Sequence, residues 1–259
     1  MTGACPGTVL VQFGANVPGT SYILLGGLLG AAALGYLSDK INWNCDKEVQ
    51  FIDKKLGWSQ QKTSALMAAP LVGGLFALEG AVPWRNDLAK VLNLSLQSTA
   101  RLKTMPLITS YAWSPLVSGS LIGLLQIPSM YFLGGALGTS TAYEVLLGLI
   151  TKANILPKSK KLTEATQDSH LQQLIFTVSM ILGSFVSTYY GGRAVHTSGN
   201  TAVVGVVGGF LLLLGARLAN GCTSGHGISG VAQLSTASLV STAGMFGGGI
   251  LTSLISKLL

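Results

Sequence analysis

Apolar residues in this chain fall in long blocks. Ser21–Leu37, Leu66–Pro83, Pro115–Leu137, Leu171–Tyr190, Gly199–Ala219 and Ser238–Leu258 each come close to or reach the length a helix needs to cross a bilayer, roughly 17–25 residues for about 30 Å of hydrocarbon. A weaker block, Thr141–Leu156, carries Glu144 and Lys152 and is expected to cross only partway. Backbone in lipid must satisfy its own hydrogen bonds, so the blocks predict helices and an all-α, polytopic membrane protein. Stretches such as "LLGGLLGAAALG" (24–35) and "GMFGGGILTSLIS" (244–256) repeat glycine at three- and four-residue spacings. That pattern lets helix backbones approach closely.

Polar stretches over 38–65, 84–112 and 157–170 separate the blocks. The first sets five Lys against four acids and the second four basic residues against one acid, a balance too even to fix an orientation. The natural division is 1–112, a first repeat with its connecting loop, and 113–259, a second repeat.

Composition agrees with the pattern. The chain is 49% hydrophobic and 10% charged, with a mean hydropathy of +0.54, whereas soluble domains are roughly a quarter charged. A water-soluble fold is excluded. The net charge of +7 lies mainly in the loops, without a basic–aromatic stripe, so it suits lipid headgroups and excludes nucleic acid as a partner. Cys5, Cys45 and Cys222 form neither a disulfide framework nor a CxxC pair. No ATP-binding motif is present, and no cofactor or metal is expected.

The candidate chemistry lies where an apolar block ends, in "GARLANGCTSGHGISG" (215–230). Gly221, Gly225, Gly227 and Gly230 disfavour regular helix and permit positive φ. Several N–H groups can then face one point and favour an anion, with Thr223, Ser224 and Ser229 adding hydroxyls. Non-helical backbone at membrane depth must line a cavity or be buried by protein. The stretch therefore reads as a re-entrant anion site displaying one thiol, Cys222. A lone cysteine is more often a small buried hydrophobe; the hydroxyl-rich setting is what favours a working thiol here. His226 is expected to hydrogen-bond the loop or lend it positive field. Arg217 sits in an apolar helix, where an unpaired charge costs at least a few kcal/mol. It either faces the polar cavity or pairs with Glu79 or Glu144, and both alternatives stay open.

"GACPGTVLVQ" (3–12) repeats the theme with Cys5. Pro6 is expected to break a helix, and Gly7 and Thr8 to supply flexible donors. In each motif an apolar helix is expected 16 residues after the cysteine, at Ser21 and Ser238. Paired broken segments in corresponding halves point to a transporter's binding site, with Cys5 and Cys222 near each other about a pseudo-two-fold axis. Cys222 follows about a hundred residues of membrane sequence and Cys5 follows four, so the first repeat is expected to be truncated, with further sequence upstream of Met1. Cys45, in "NWNCDKEVQ", has no comparable setting.

At these residues the sequence resembles the YeeE/YedE family of sulfur-transport membrane proteins, which take up thiosulfate. The resemblance rests on "GARLANGCTSGHGISG" (215–230) and "GACPGTVLVQFGANVPGT" (3–20), supported by "WSPLVSGSLIGLLQIPSMYFLGGALGTSTAY" (113–143). It implies an hourglass-shaped inverted repeat whose short re-entrant helices meet near the centre. It also implies pore cysteines that pass thiosulfate along by weak hydrogen bonds to its sulfur, with Cys5 and Cys222 in those positions. Pro6, Gly7, Thr223, Ser224, Gly225, His226 and Arg217 are the other expected site residues. The expected function is a multi-pass permease for thiosulfate or a related sulfur anion, in a membrane the sequence does not specify. A sulfur-acceptor protein or a second chain completing the pore are the protein partners considered. The alternatives are a membrane sulfurtransferase, with Cys222 as a persulfide carrier activated by His226, and a transport-inactive partner subunit.

Overall fold

The computed structural model describes residues 4–41, 51–82, 113–132, 138–154, 157, 159–166, 168–191 and 201–258. In chain order its helices are α1 (Pro6–Gly14), α2 (Thr20–Ile41), α3 (Ile52–Leu56), α4 (Gln60–Ala81), α5 (Pro115–Phe132), α6 (Ser140–Lys152), α7 (Lys160–Glu164), α8 (Asp168–Gly191) and α9 (Ala202–Leu218). A π-helical segment, Ser224–Gly230, and α10 (Thr236–Leu258) complete the elements among the described residues. The six expected apolar blocks fall on α2, α4, α5, α8, α9 and α10, and the weaker block is the short α6. Four of these, over Thr20–Lys40, Gln60–Ala81, Gln172–Tyr190 and Thr236–Ile255, are long and apolar enough to cross a membrane. The protein is an all-α, multi-pass membrane protein. Cys45, His196 and the stretch 84–112 lie outside the described residues, as does the side chain of His170.

The chain divides into two compact units, Met1–Phe51 with Ser129–Leu259, and Ile52–Pro128. The smaller unit holds α3, α4 and most of α5. Pro70 lies inside α4 and Pro128 inside α5, positions that membrane helices tolerate because neighbouring groups re-satisfy the freed carbonyls.

In the larger unit α2 and α9 run side by side with almost no side chain between them. A Cβ on Gly26, Gly30 or Gly209 would overlap the backbone carbonyl of Val206, Phe210 or Ile23 respectively. These glycines fall at four-residue spacing on α2 and on α9 (Gly205, Gly209), the pattern that makes a backbone-to-backbone helix contact possible. Leu213 of α9, Ala31 of α2, Leu10 of α1, Tyr143 and Leu147 of α6 and Leu162 of α7 close around this pair as the core. On α8 and α10 the pattern turns outward. Ile175, Leu182, Phe185, Val240, Phe246 and Ile250 are all more than half exposed, surface that lipid covers in place of water.

The stretch 157–170, read from sequence as a polar loop, is docked on the core. Leu162 is fully buried, a Cβ on Gly35 would lie 2.9 Å from its side chain, and one on Gly148 would strike its carbonyl. Ser159 caps α7 by accepting from the Leu162 N–H at 3.3 Å. Asp39, at the end of α2, accepts from the N–H groups of Lys160 (2.9 Å) and Lys161 (3.2 Å). The Tyr36 hydroxyl donates to the Pro157 carbonyl at 2.8 Å. A carboxylate placed at the first N–H groups of a helix is the favourable arrangement there.

Candidate functional site

The site is built on the head of α6. Thr139 occupies the N-cap position yet makes no capping hydrogen bond with its side chain. Its hydroxyl turns to the cysteine motif instead, 3.1 Å from Ser224 Oγ and 3.6 Å from Cys222 Sγ. The first N–H groups of α6 are thus left without a side-chain cap, at the positive end of a helix of 13 residues. Ser224 Oγ lies 2.9 Å from Cys222 Sγ, and Ser140 and the backbone of Gly225 border the sulfur. Cys222 is 1% exposed, so its thiol lies enclosed among hard donors.

The first turn of α1 meets the same point. A Cβ on Gly7 would lie 3.1 Å from Thr139 Oγ1, and the buried Tyr143 donates its hydroxyl to the Pro6 carbonyl at 3.1 Å. Pro6 does not break a helix, as the sequence suggested. It opens α1 from the first helical position, where its missing N–H costs nothing. Cys5 is the N-cap, its sulfur accepting from the Thr8 N–H at 3.3 Å with the Thr8 hydroxyl at 3.1 Å. Each cysteine thus stands at or just ahead of the head of a short helical segment. After each short helix a left-handed residue, Asn16 (φ 56°) or Leu234 (φ 60°), turns the chain into a long helix. Those helices open at Thr20 and Thr236, one and two residues ahead of the positions expected from sequence.

The glycine-rich motif is also more regular than expected. Residues 224–230 form a π-helical turn in which the Val231 N–H reaches the His226 carbonyl, a geometry often found at functional sites. None of its glycines has positive φ; that conformation falls on Asn220 and Leu234, at its flanks. Its glycines serve close approach. A Cβ on Gly221 would lie 2.6 Å from His226 Nε2, and one on Gly230 would strike Ser238 Oγ.

His226 and Arg217 are both spoken for. His226 Nε2 donates to the Ala219 carbonyl at 3.1 Å, which leaves Nδ1 to accept from the Ser238 hydroxyl at 3.0 Å. The ring thus ties the motif to α9 and α10, the first of the two roles expected for it. Arg217 pairs with Glu144, Nε to Oε1 at 2.6 Å and Nη2 to Oε2, and its Nη1 lies 3.4 Å from Thr141 Oγ1. Of the two alternatives open for this arginine, the ion pair is the one formed. Thr223 lies half-buried in right-handed helical conformation just ahead of the π-turn.

Thr139, Ser140 and Tyr143 carry no candidate role in the sequence, Glu144 enters there only as a partner for Arg217 and Ser238 only as a helix start, and all five are buried. A signal was present in "LGTSTAYE" (137–144), which has the same Gly/Ser/Thr run before a helix as "NGCTSG", without a cysteine to mark it.

Comparison with known proteins bears on what this arrangement serves. The profile of the sulphur transport family matches residues 1–251. The chain belongs to the sulphur transport family. A protein of Xylella fastidiosa strain 9a5c, named a probable transporter, is 32% identical over 132 residues, which cover 51% of this chain and 84% of the relative. Its counterpart in strain Temecula1, with the same name, is 31% identical over 133 residues at the same coverage. No solved structure matches the chain.

Proposed function

We propose that this protein is a membrane permease for thiosulfate or a related sulfur anion, and that Cys222 contacts the sulfur end of the substrate as it passes. The observation that carries the reading is the thiol 1% exposed at the junction of α1 and α6 and ringed by Thr139, Ser140 and Ser224. Hydroxyls and amides are hard donors; the sulfur is the soft, polarisable group among them and suits a sulfur-terminated anion. The N-termini of α1 and α6 supply positive potential, while Arg217, the charged residue nearest the motif in sequence, is neutralised by Glu144. Neutral donors hold an anion weakly enough to let it go, which a conducting site requires. Cys5, half-buried at the head of α1, is the second thiol on this path.

The persulfide-carrier alternative fits the geometry less well. A carrier needs a base that can reach its thiol, and both ring nitrogens of His226 are engaged, with Ala219 and Ser238.

Uptake of labelled thiosulfate by cells lacking other routes tests the proposal. Cys222→Ala is expected to abolish uptake while the protein persists in the membrane. Cys222→Ser keeps the size and a stronger donor but removes the polarisable sulfur, and is expected to be nearly as inactive. Full uptake by the serine variant would make the site a generic anion pore. Loss of both variants from the membrane would make Cys222 a packing residue.

A further inference from the structure

Around Cys222 the hydroxyls satisfy one another, but two polar groups on α8 do not take part. Gln173 Oε1 and Thr177 Oγ1 are buried with no hydrogen-bond partner among the described residues, and Thr177 is 5% exposed. Four residues apart, they share one face of α8. Four residues further along the same face, the Ile181 carbonyl abuts Gly14 of α1. Gln173 points at the head of α6. A Cβ on Gly138, the residue before Thr139, would lie 3.8 Å from Gln173 Oε1 and 3.9 Å from the Cα of Gly225. The amide therefore borders the head of α6 and the cysteine motif at Gly225.

Buried polar atoms are nearly always paired, and an orphan is kept where something supplies the missing partner. We propose that Gln173 and Thr177 form the oxygen-binding end of the substrate site, a subsite for the oxygens of a sulfur oxoanion whose sulfur faces Cys222. This inference rests on the permease reading and deepens it. A primary amide carries a carbonyl and an NH2 on one rotatable group. The unpaired Oε1 is an acceptor as placed, but a half-turn of the amide puts the NH2 at the same point; Gln173 then offers two donors and Thr177 a third, all uncharged. A soft end at the thiol and a hard end at α8 would sort substrates by whether they carry both. A site built to hydrogen-bond a group discriminates strongly against analogues that lack it.

The test uses the full chain in proteoliposomes, with labelled thiosulfate as substrate and hydrosulfide, which has no oxygens, as competitor. Gln173→Leu is expected to raise the KM for thiosulfate about tenfold, as loss of hydrogen bonds to a charged group does, and to leave inhibition by hydrosulfide unchanged. Gln173→Glu is close to isosteric and places a carboxylate where the oxygens would bind, so it is expected to raise KM further at unchanged protein level. If the leucine variant does not reach the membrane, the glutamate variant decides. An unchanged thiosulfate KM, or an equal weakening of thiosulfate and hydrosulfide, overturns the subsite. A wild-type protein that moves no thiosulfate overturns the permease reading and the subsite with it; working transport with unaffected Gln173 variants overturns the subsite alone.

Discussion

The Arg217–Glu144 pair separates a residue that holds the site from one that binds the substrate. The two side chains are 9% and 4% exposed, and the guanidinium engages Glu144 through two nitrogens and lies within reach of Thr141 through the third. Arg217→Met leaves a carboxylate buried on α6, and Glu144→Gln leaves a guanidinium buried on α9. Removing one member of a buried pair typically costs about 3–5 kcal/mol, while replacing both by groups of similar volume is often close to neutral. Each single variant should therefore melt lower by roughly ten degrees, taking about 2–4 °C per kcal/mol for a chain of this size. The Arg217→Met, Glu144→Gln double variant should recover most of that loss, giving a large coupling between the two sites.

Thermal melting of the detergent-solubilised protein reads the stability, and thiosulfate uptake per molecule in the membrane reads the function. If Arg217 serves to anchor α9 to the head of α6, uptake returns together with stability in the double variant. If the arginine is itself an anion ligand, the double variant is stable and inactive. We expect the first outcome, because the donors nearest the site are already committed to α6. An Arg217→Met protein that melts like the wild type would refute the argument, since it would mean that the pair contributes nothing.

Three further variants probe the supports of the site. Gly209→Val should prevent α2 and α9 from closing, because even a Cβ there overlaps the Ile23 carbonyl; loss of folded protein in the membrane is the readout, and normal yield would count against the tight α2–α9 contact. Gly7→Ala brings a methyl to 3.1 Å from Thr139 Oγ1, so it should lower uptake while leaving the melting temperature nearly unchanged, the reverse of a packing defect. His226→Phe keeps a ring but strands the Ala219 carbonyl and the Ser238 hydroxyl. It should cost about 1–3 kcal/mol for each orphaned buried group, and melting at the wild-type temperature would show that these bonds do not hold the motif.

Long helices and the cysteine turns were legible in the sequence because each depends on local composition. About twenty apolar residues without charges have few alternatives in lipid, and "CTSGHG" carries its polarity within six residues. The head of α6 was harder to read. Thr139 matters because it spends its hydroxyl on Cys222 and Ser224, 83 and 85 residues away, and not on its own helix, a choice no local pattern records. The same holds for Arg217: the sequence shows that a charge in an apolar helix needs an answer, but only the packing selects Glu144. Pro6 was misread for a related reason. Proline disrupts a helix interior and favours a helix start, and which applies depends on where the helix begins. The short α7 was missed because a single buried residue, Leu162, anchors a segment otherwise rich in lysine and threonine.

The permease reading also gives a reason for the short first helix. Nine residues of α1 span about 13 Å, at 1.5 Å per residue, less than half of the roughly 30 Å hydrocarbon layer. Where a helix of that length folds back into the layer ahead of the full-length α2, its N-terminus ends inside the layer and not at its surface. A helix dipole at the surface is screened by water and salt; at depth it is not. On the permease reading Cys5 caps α1 at such a point, and the uncapped head of α6 meets α1 through Thr139 and Gly7. The attraction for an anion then comes from fixed dipoles and donor hydroxyls, which cannot neutralise it outright. A free arginine in the same place would bind more tightly and release more slowly. On this reading the pairing of Arg217 with Glu144 keeps the positive field of two helix ends and withholds from the substrate a group strong enough to trap it.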